Sequence, residues 1–175
     1  ASIDVLIVVR ICRFFQIFLL TDLKRALGNE GTISLILADI DHFKQFNDAH
    51  GHQTGDFILK ELCRITKAVI REYDVMARYG GEEFAFVLPD TTTHGAMTVA
   101  EKIRGIVAEH DFFDGSEHYR VTISLGVASI APAAEHCTQS AFIAMADEAL
   151  YDAKRNGRNQ AVFYTPQKKS RWFSL

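Results

Sequence analysis

The sequence contains few cysteines and none of the cysteine or histidine spacings that are typical of metal-binding motifs. The three cysteines, Cys12, Cys63 and Cys137, are odd in number and widely separated. This pattern argues against a disulfide framework and favours reduced thiols in a cytoplasmic protein. His50 and His52 lie close together, but no cysteine or third histidine accompanies them, which argues against a zinc site.

The sequence also lacks an excess of basic charge. It has 19 lysines and arginines against 22 acids, which gives a formal net charge of −3. Such a chain has no overall positive field to attract a nucleic-acid polymer, so any phosphate must be bound by local groups. The length of 175 residues fits one compact enzyme domain with its own core.

No long hydrophobic run is free of polar residues. The most apolar stretch, residues 3–20, is interrupted by Asp4, Arg10, Arg13 and Gln16, whereas a membrane-spanning helix needs about 20 largely uncharged residues. No small-residue cleavage site follows, which argues against a signal peptide. We therefore expect no direct membrane contact from this domain and interpret residues 1–20 as a lead-in segment. The favoured structure is a core-packing helix that continues to residue 27 and could follow an upstream, membrane-anchored module; a membrane helix is the less favoured alternative.

A Gly-Gly pair followed by two acids is the most informative motif. Gly80-Gly81-Glu82-Glu83 lies between two apolar, strand-like segments. A Gly-Gly pair is a favoured two-residue hairpin connection because glycine accepts positive φ at both positions. The motif therefore predicts a hairpin with carboxylates at its tip, where a phosphate can approach the backbone and Mg²⁺ can find oxygen ligands. An ordinary exposed hairpin with two acids is the alternative.

A second acidic cluster follows a strand-like segment. Residues 32–40 are apolar and lead into Asp39-Ile40-Asp41. Further motifs follow: Phe43-Lys44-Gln45-Phe46-Asn47-Asp48, Gly51-His52-Gln53-Thr54-Gly55-Asp56, Ala146-Asp147-Glu148-Ala149-Leu150-Tyr151-Asp152-Ala153-Lys154 and Gly157-Arg158-Asn159. In this order and spacing, the motifs resemble those of the GGDEF family, the diguanylate cyclases, over about residues 20–164.

Hydrophobic periodicity predicts a mixed fold. Apolar stripes at helical spacing begin at Ile58, Ala96 and Ile143, and strands are expected at 32–40, 75–79, 82–88, 119–130 and 160–164. These elements predict an α/β sandwich with a mostly antiparallel central sheet flanked by helices. The resemblance implies the palm-like fold shared with class III nucleotide cyclases. We expect a catalytic domain at residues 21–165 and a tail at 166–175.

The two acidic clusters should meet in the fold. If strand 82–88 pairs antiparallel with strand 32–40, Asp39 faces Glu82 and Glu83, and these carboxylates repel unless a cation lies between them. Asp39 could instead cap the following helix. The resemblance implies two Mg²⁺ or Mn²⁺ ions per active site, held by Asp39, Ile40, Glu82 and Glu83. It also implies that Asp39, Lys44, Glu82 and Glu83 are the catalytic residues.

Basic and polar residues provide candidate contacts to a nucleotide. Lys154 and Arg158 are four residues apart near the end of the last helix, so we expect them on one face, where they could clamp a triphosphate with Lys44. Favourable charge at a helix C-terminus is the alternative. The resemblance implies that Asn47 and Asp56 read guanine, and that Gly80 and Gly81 contact the substrate. Without the resemblance, Asn47 and Asp56 would be interpreted as cap or turn residues.

The remaining motif is Arg71-Glu72-Tyr73-Asp74, which resembles the family's inhibitory product site. The resemblance implies that Arg71 and Asp74 bind product, with Lys102 at a position where many members have a further arginine. A solvated ion pair is the alternative.

The resemblance implies a diguanylate cyclase that uses GTP, forms cyclic di-GMP and acts as a homodimer, in which Asp56 favours GTP in both half-reactions. A receptor for cyclic di-GMP or GTP without catalytic activity is the alternative. It is favoured mildly by residues 4–13, which keep only Asp4, Leu6 and Arg13 of the family's usual opening motif.

Overall fold

The computed structural model describes residues 3–28, 31–130 and 137–166, with side chains from residue 15 onward. The elements in chain order are α1 (Ile3–Gly28), β1 (Ile33–Ile40), α2 (Phe43–His50), α3 (His52–Lys67), β2 (Val75–Arg78), β3 (Glu83–Pro89), α4 (Thr93–Glu109), β4 (Phe112–Phe113), β5 (His118–Tyr119), β6 (Ile123–Ile130), α5 (Gln139–Arg155) and β7 (Ala161–Phe163). Strand 119–130, expected as one element, is divided between β5 and β6.

The main sheet has five strands in the order β2-β3-β1-β6-β7. The pairs β2–β3, β3–β1 and β1–β6 are antiparallel, and only β6–β7 is parallel. A separate two-stranded ladder is formed by β4 and β5. Helices cover the sheet, so the predicted fold class, a mostly antiparallel sheet flanked by helices, is confirmed.

The central strand β1 explains how the two layers of helices are held together. All eight of its residues are buried, because alternate side chains enter two different cores. Ile36 and Ile40 join the core formed with α3 and α4, while Leu35 and Leu37 join the core formed with α1 and α5. A strand covered on both faces requires a continuous apolar run, which is the pattern in the sequence.

Helix α5 packs unusually close to the sheet. A Cβ atom added at Gly126 in β6 would collide with the backbone of α5 at Ala146 and Leu150. Glycine at this position therefore sets the helix-to-sheet distance and, with it, the position of the C-terminal end of α5 relative to the end of β1.

Helix α1 is continuous from residue 3 to residue 28. Phe15, Leu19 and Leu23 are buried in the second core, which confirms the expected core-packing helix over the residues whose side chains are described. Across the described ranges, no helix is both long enough and apolar enough to cross a membrane. The departure from the family's opening motif at residues 4–13 lies outside the described side chains.

Candidate active site

Strand pairing brings the acidic clusters together. Strands β1 and β3 are antiparallel, with Asp39 directly opposite Glu83, and the Ile40 amide donates to the Glu82 carbonyl at 3.4 Å. The predicted pairing and the meeting of Asp39 with both glutamates are therefore confirmed. This end of the sheet carries three carboxylates, of which Asp39 and Glu83 lie on adjacent strands and Glu82 lies in the turn before β3.

The hairpin turn differs from the prediction. Residues 79–82 connect β2 to β3, so the connection has four residues rather than two, and neither Gly80 nor Gly81 is among the described residues with positive φ. The expected Gly-Gly turn with positive φ is wrong. Glycine is needed at position 80 for another reason, because a Cβ there would collide with the carboxylate of Glu83. Gly81 has open space around it.

An arginine side chain holds this longer turn. Arg78 donates from Nε to the Gly81 carbonyl at 3.1 Å and to the Gly80 carbonyl at 3.3 Å, and from Nη2 to the Gly81 carbonyl at 2.5 Å. These bonds satisfy backbone carbonyls of the turn. Sequence reasoning missed this contribution of Arg78. The available signal was a cation immediately before a glycine turn.

Burial and mutual repulsion make the carboxylates at this edge costly to ionise. Burial raises the pKa of Asp39 above its usual value, and the hydrogen bond from Lys154 opposes that rise. Burial also raises the pKa of Glu82, and the neighbouring charge of Asp39 raises it further. A cation at this edge would relieve both effects.

Lys154 already provides one positive charge at the edge. Its Nζ lies 3.0 Å from Oδ2 of Asp39. The alternative in which Asp39 caps the next helix is wrong, because the residue that precedes α2 is His42, in a left-handed conformation and without a side-chain cap. Lys44 lies in the first turn of α2 and is exposed.

The second expected cation, Arg158, reaches the site by a different route. Helix α5 ends at Arg155, so Arg158 lies in the following loop with φ 63°. The expectation that Lys154 and Arg158 share a helix face is wrong. The charge of Arg158 nevertheless lowers the pKa of Asp39, so both cations act on the same carboxylate.

The donor set fits a hard divalent cation. Carboxylates of Asp39, Glu82 and Glu83, with the adjacent backbone at Ile40, offer the oxygen ligands that Mg²⁺ prefers. Within the described ranges, no group of three or more histidine, cysteine or acidic side chains already forms a metal cage. Mg²⁺ is commonly held by one or two carboxylates together with water and substrate phosphates.

A cavity of about 200 Å³ lies beside the acidic edge. Helices α2 and α3 contribute Phe43, Asn47, His52, Gly55, Asp56 and Leu59 to its lining, and the hairpin contributes Arg78, Gly81 and Glu82. Asn47 and Asp56 therefore line the same space as Glu82. Both residues lie inside helices, and the N-terminal caps of α2 and α3 are His42 and Gly51, so the cap or turn interpretation is wrong.

Asn47 has an unsatisfied polar atom at this cavity. Its Oδ1 is buried and has no hydrogen-bond partner among the described residues. Buried acceptors are nearly always paired in native proteins, so an orphan beside a cavity indicates a missing ligand or water. Gly55 makes this arrangement possible, because a Cβ at position 55 would collide with Asn47 Oδ1.

A larger cavity of about 940 Å³ runs along β2. Its lining residues are Cys63, Lys67, Ile70, Arg71, Glu72, Asp74, Val75, Met76, Ala77 and Arg78. Lys102 is exposed on α4 and is not among the described residues that line it.

Asp74 is a buried acid in the lining of this larger cavity. It is 8% exposed, and its Oδ2 accepts from the backbone amide of Arg71 at 2.8 Å. Its Oδ1 has no partner within the described part of the chain, and burial raises its pKa. The Arg71 guanidinium instead donates to the Tyr73 hydroxyl at 2.9 Å. The interpretation as a solvated surface ion pair is wrong, since Asp74 is buried and bonded to a backbone amide.

Comparison with known proteins identifies the family. The family model described as "Diguanylate cyclase, GGDEF domain" matches residues 1–160. The chain belongs to the GGDEF family. Among relatives of this GGDEF domain, Diguanylate cyclase A of Treponema denticola is 43% identical over 131 residues, covering 75% of this chain and 35% of the relative. Response regulator PleD of Caulobacter vibrioides is 43% identical over 141 residues, covering 79% and 31%. The chain thus spans about a third of the length of these relatives.

Solved structures agree with this GGDEF assignment. The GGDEF domain of DgcB from Caulobacter crescentus, in complex with c-di-GMP, has a TM-score of 0.81 and 34% identity, covering 87% of this chain and 90% of that one. The active GGEEF domain of a diguanylate cyclase from Vibrio cholerae has a TM-score of 0.80 and 37% identity, covering 87% and 96%. The fold is therefore the palm-like fold of GGDEF domains, as the resemblance implied.

Proposed function

We propose that this GGDEF domain is a diguanylate cyclase, which condenses two GTP molecules into cyclic di-GMP and releases two pyrophosphates. The observation that carries the proposal is that the orphan acceptor of Asn47, the carboxylate of Asp56 and the acidic edge at Glu82 line one cavity. Guanine presents N–H donors that match these acceptors. A nucleotide bound there would have its base on α2 and α3 and its phosphates at the acidic edge.

The reaction is two in-line displacements. In each, the 3′-hydroxyl oxygen of one GTP forms a bond to the α-phosphorus of the other, the bond to pyrophosphate breaks, and the hydroxyl proton is released. Each domain holds one nucleotide, so two copies of the domain must face one another. The homodimer is part of this proposal.

The residues of the chain have distinct tasks in this mechanism. Asn47 and Asp56 hold the base, while Lys44, Lys154 and Arg158 bind and orient the triphosphate. Diguanylate cyclases of this family generally use divalent metal ions, and Asp39, Ile40, Glu82 and Glu83 would hold two Mg²⁺ or Mn²⁺ ions. When bound, these ions polarise the α-phosphate and neutralise charge on the leaving group. Gly81, which has open space around it, leaves room for the phosphates beside the hairpin, and Gly80 leaves room for the Glu83 carboxylate.

The cavity at Arg71 and Asp74 supports feedback by the product. The free oxygen of Asp74 can accept from a guanine N–H, and Arg71 can bind a phosphate or a guanine edge bidentately. Arg71 and Asp74 precede β2 and therefore lie at the opposite end of that strand from Glu82, while Arg78 lines both this cavity and the one beside the acidic edge. In the proposal, cyclic di-GMP binds here and inhibits synthesis, with Lys102 able to contribute only from another copy or after a rearrangement.

The same cavity supports a second candidate function, a receptor that binds cyclic di-GMP without making it. A buried, unpartnered Asp74 oxygen favours a ligand at this site whether or not the acidic edge is active. The receptor hypothesis predicts binding of cyclic di-GMP and no product from GTP.

One experiment distinguishes the two functions. The purified chain is incubated with GTP and Mg²⁺, and cyclic di-GMP and pyrophosphate are quantified by chromatography. A cyclase gives both products in a 1:2 ratio, with a specific activity that rises with protein concentration because two domains must meet. Asp39→Asn should lower the rate by at least about a hundredfold, whereas Glu148→Gln, on the exposed surface of α5, should not. Binding of cyclic di-GMP without any synthesis would refute the cyclase and support the receptor.

A further inference from the structure

Asp41 is a second carboxylate at the end of β1, but its surroundings differ from those of Asp39. It is 7% exposed. Its Oδ1 accepts from Ser124 Oγ at 2.6 Å, and its Oδ2 accepts from Thr122 Oγ1 at 2.6 Å and from the Asn159 amide at 3.0 Å. The Asp41 amide also donates to the Thr122 carbonyl at 2.9 Å. Three of the roughly four lone-pair positions of this carboxylate are already in use.

The bond to Asn159 holds a segment in an unfavourable conformation. Gly157, Arg158 and Asn159 have φ values of 114°, 63° and 45°. Consecutive left-handed residues other than glycine are sterically costly and persist only where the surrounding structure holds them. An observed outlier of this kind is a reason to look for a functional constraint.

Other bonds attach this segment to the fold on each side. The Arg158 amide donates to the Ala153 carbonyl at 3.0 Å, and the Leu125 amide donates to the Gln160 carbonyl at 2.9 Å. Arg104 donates to Asn159 Oδ1 at 3.2 Å. Among the bonds of the described residues, only the Asp41 bond connects the segment directly to the strand end that carries Asp39, two residues away.

We propose that Asp41 is a positioning residue, which fixes the Arg158 segment against the end of β1 so that the guanidinium meets the triphosphate. This inference rests on the proposed function. It assigns Asp41 a role through Arg158 rather than as a metal ligand, although the Asp-Ile-Asp pattern places two carboxylates at one strand end. Ligation by Asp41 would require it to give up hydroxyl and amide bonds that the fold already satisfies.

The geometry explains why a rigid link is useful at this point. Arg158 is exposed and lies outside α5. Its amide is bonded to the Ala153 carbonyl of that helix, so the helix holds one side of the segment and the bond between Asp41 and the Asn159 amide holds the other. The next residue, Asn159, is bonded to Asp41, two positions from Asp39, so the segment that carries Arg158 lies at the same strand end as the acidic edge. A segment whose backbone is already held at this strand end loses less loop entropy when its arginine binds a phosphate.

The test compares variants at position 41 in two backgrounds. Asp41→Ala, Asp41→Asn and the exposed control Asp147→Asn are made in the parent chain, and Asp41→Ala is also made together with Arg158→Ala. Affinity is measured by calorimetry in Mg²⁺ with a GTP analogue that has a methylene bridge between the α- and β-phosphates, so binding is read without turnover. Hydrogen exchange of residues 156–161 is measured without nucleotide.

We expect Asp41→Ala to weaken analogue binding by about tenfold in the parent, as for the loss of a charge-assisted contact. In the Arg158→Ala background the same substitution should weaken analogue binding by less than about twofold, because the effects of substitutions at residues that act as one unit are not additive. Asp41→Asn, which can still accept from the Asn159 amide, should lie between the alanine variant and the parent. Exchange of the Asn159 amide should be faster in both position-41 variants and unchanged in the control.

Three results would overturn the proposal. Equal losses of affinity in both backgrounds would show general damage rather than action through Arg158. Unchanged exchange at residues 156–161 would show that Asp41 does not hold the segment. A lower Mg²⁺ affinity in Asp41→Asn, similar to that of Asp39→Asn, would make Asp41 a metal ligand. Failure of the cyclase proposal would be seen separately, as analogue binding without synthesis of cyclic di-GMP from GTP.

Discussion

Gly55→Ala should separate nucleotide selection from stability. Gly55 lies in α3 without positive φ, so alanine fits the backbone there. The new Cβ would collide with Asn47 Oδ1, and it would lie 3.0 Å from Asn47 Cγ and 3.2 Å from Phe43 Cζ. The Asn47 side chain has no partner at Oδ1 within the described residues, so it can turn aside. The methyl group therefore displaces the proposed guanine contact.

Two opposing effects set the change in stability. Alanine in place of glycine inside a helix stabilises by about 0.5–1 kcal/mol. Moving Asn47 from its present rotamer costs about 0.5–1.5 kcal/mol. The free energy of unfolding should therefore change by less than about 1 kcal/mol. Loss of one hydrogen bond to the base should weaken GTP binding by about 0.5–1.5 kcal/mol, or roughly 2- to 12-fold.

The assay compares affinities for GTP and ATP with thermal unfolding of the same protein. GTP affinity should fall while ATP affinity changes little, because adenine does not present the N–H donors of guanine to Asn47. Gly105→Ala is the matched control, since it lies inside α4 and a Cβ there has no atom within 4 Å. The control should gain helix stability and keep the preference for GTP. A Gly55→Ala variant that also keeps its full preference would refute the assignment of Asn47.

Three further predictions concern charged residues. Burial and the charge of Asp39 raise the pKa of Glu82, so ionisation of Glu82 lowers the stability of the folded state as pH rises through the folded-state pKa. Glu82→Gln should therefore abolish synthesis and raise the thermal midpoint at pH 7. Below about pH 4 the midpoint should not rise, because the glutamate is protonated in the unfolded state as well. Arg71→Ala should leave initial rates unchanged and weaken cyclic di-GMP binding by about 10- to 100-fold in calorimetry, and equal affinity would leave Arg71 without a sensing role. Hydrogen bonds from Arg64 and His110 lower the pKa of Glu61 to about 2 from its ordinary 4.5. Glu61→Gln should therefore lower the free energy of unfolding by about 0.5–1 kcal/mol at pH 7. In chemical denaturation, the difference in this free energy between the variant and the parent should disappear as pH falls from 4.5 towards 2.

The sheet and its acidic edge could be predicted because they depend on strong, simple patterns. The apolar run from Ile33 to Ile40 is long enough to indicate a buried strand, and antiparallel pairing with the segment after Gly81 places Asp39 opposite Glu83 without further information. The helices were also predictable, because stripes such as Ala96, Ala100, Ile103 and Val107 match the buried face of α4.

The turns and element ends could not be predicted, because side chains from elsewhere decide them. The hairpin connection has four residues instead of the predicted two, and the Arg78 side chain bonds the carbonyls of this longer turn. Helix α5 ended at Arg155 rather than continuing towards Arg158, although its periodicity gave no stop before Gly157. The β4–β5 ladder has two residues in each strand, which is too short for any periodicity to indicate.

The contrast between Asp39 and Asp41 shows why residue roles at this edge require the structure. Both are acids at the end of β1, two positions apart, and a sequence pattern treats them alike. Asp39 meets Lys154 and two glutamates, so its charge is only partly balanced and is available to a cation. Asp41 is satisfied by groups more than 80 positions away in the chain. The proposals for this domain therefore assign phosphate chemistry to the carboxylates that the fold leaves incompletely paired, and they assign the positioning of a binding residue to Asp41, the carboxylate with the most hydrogen-bond partners at this edge.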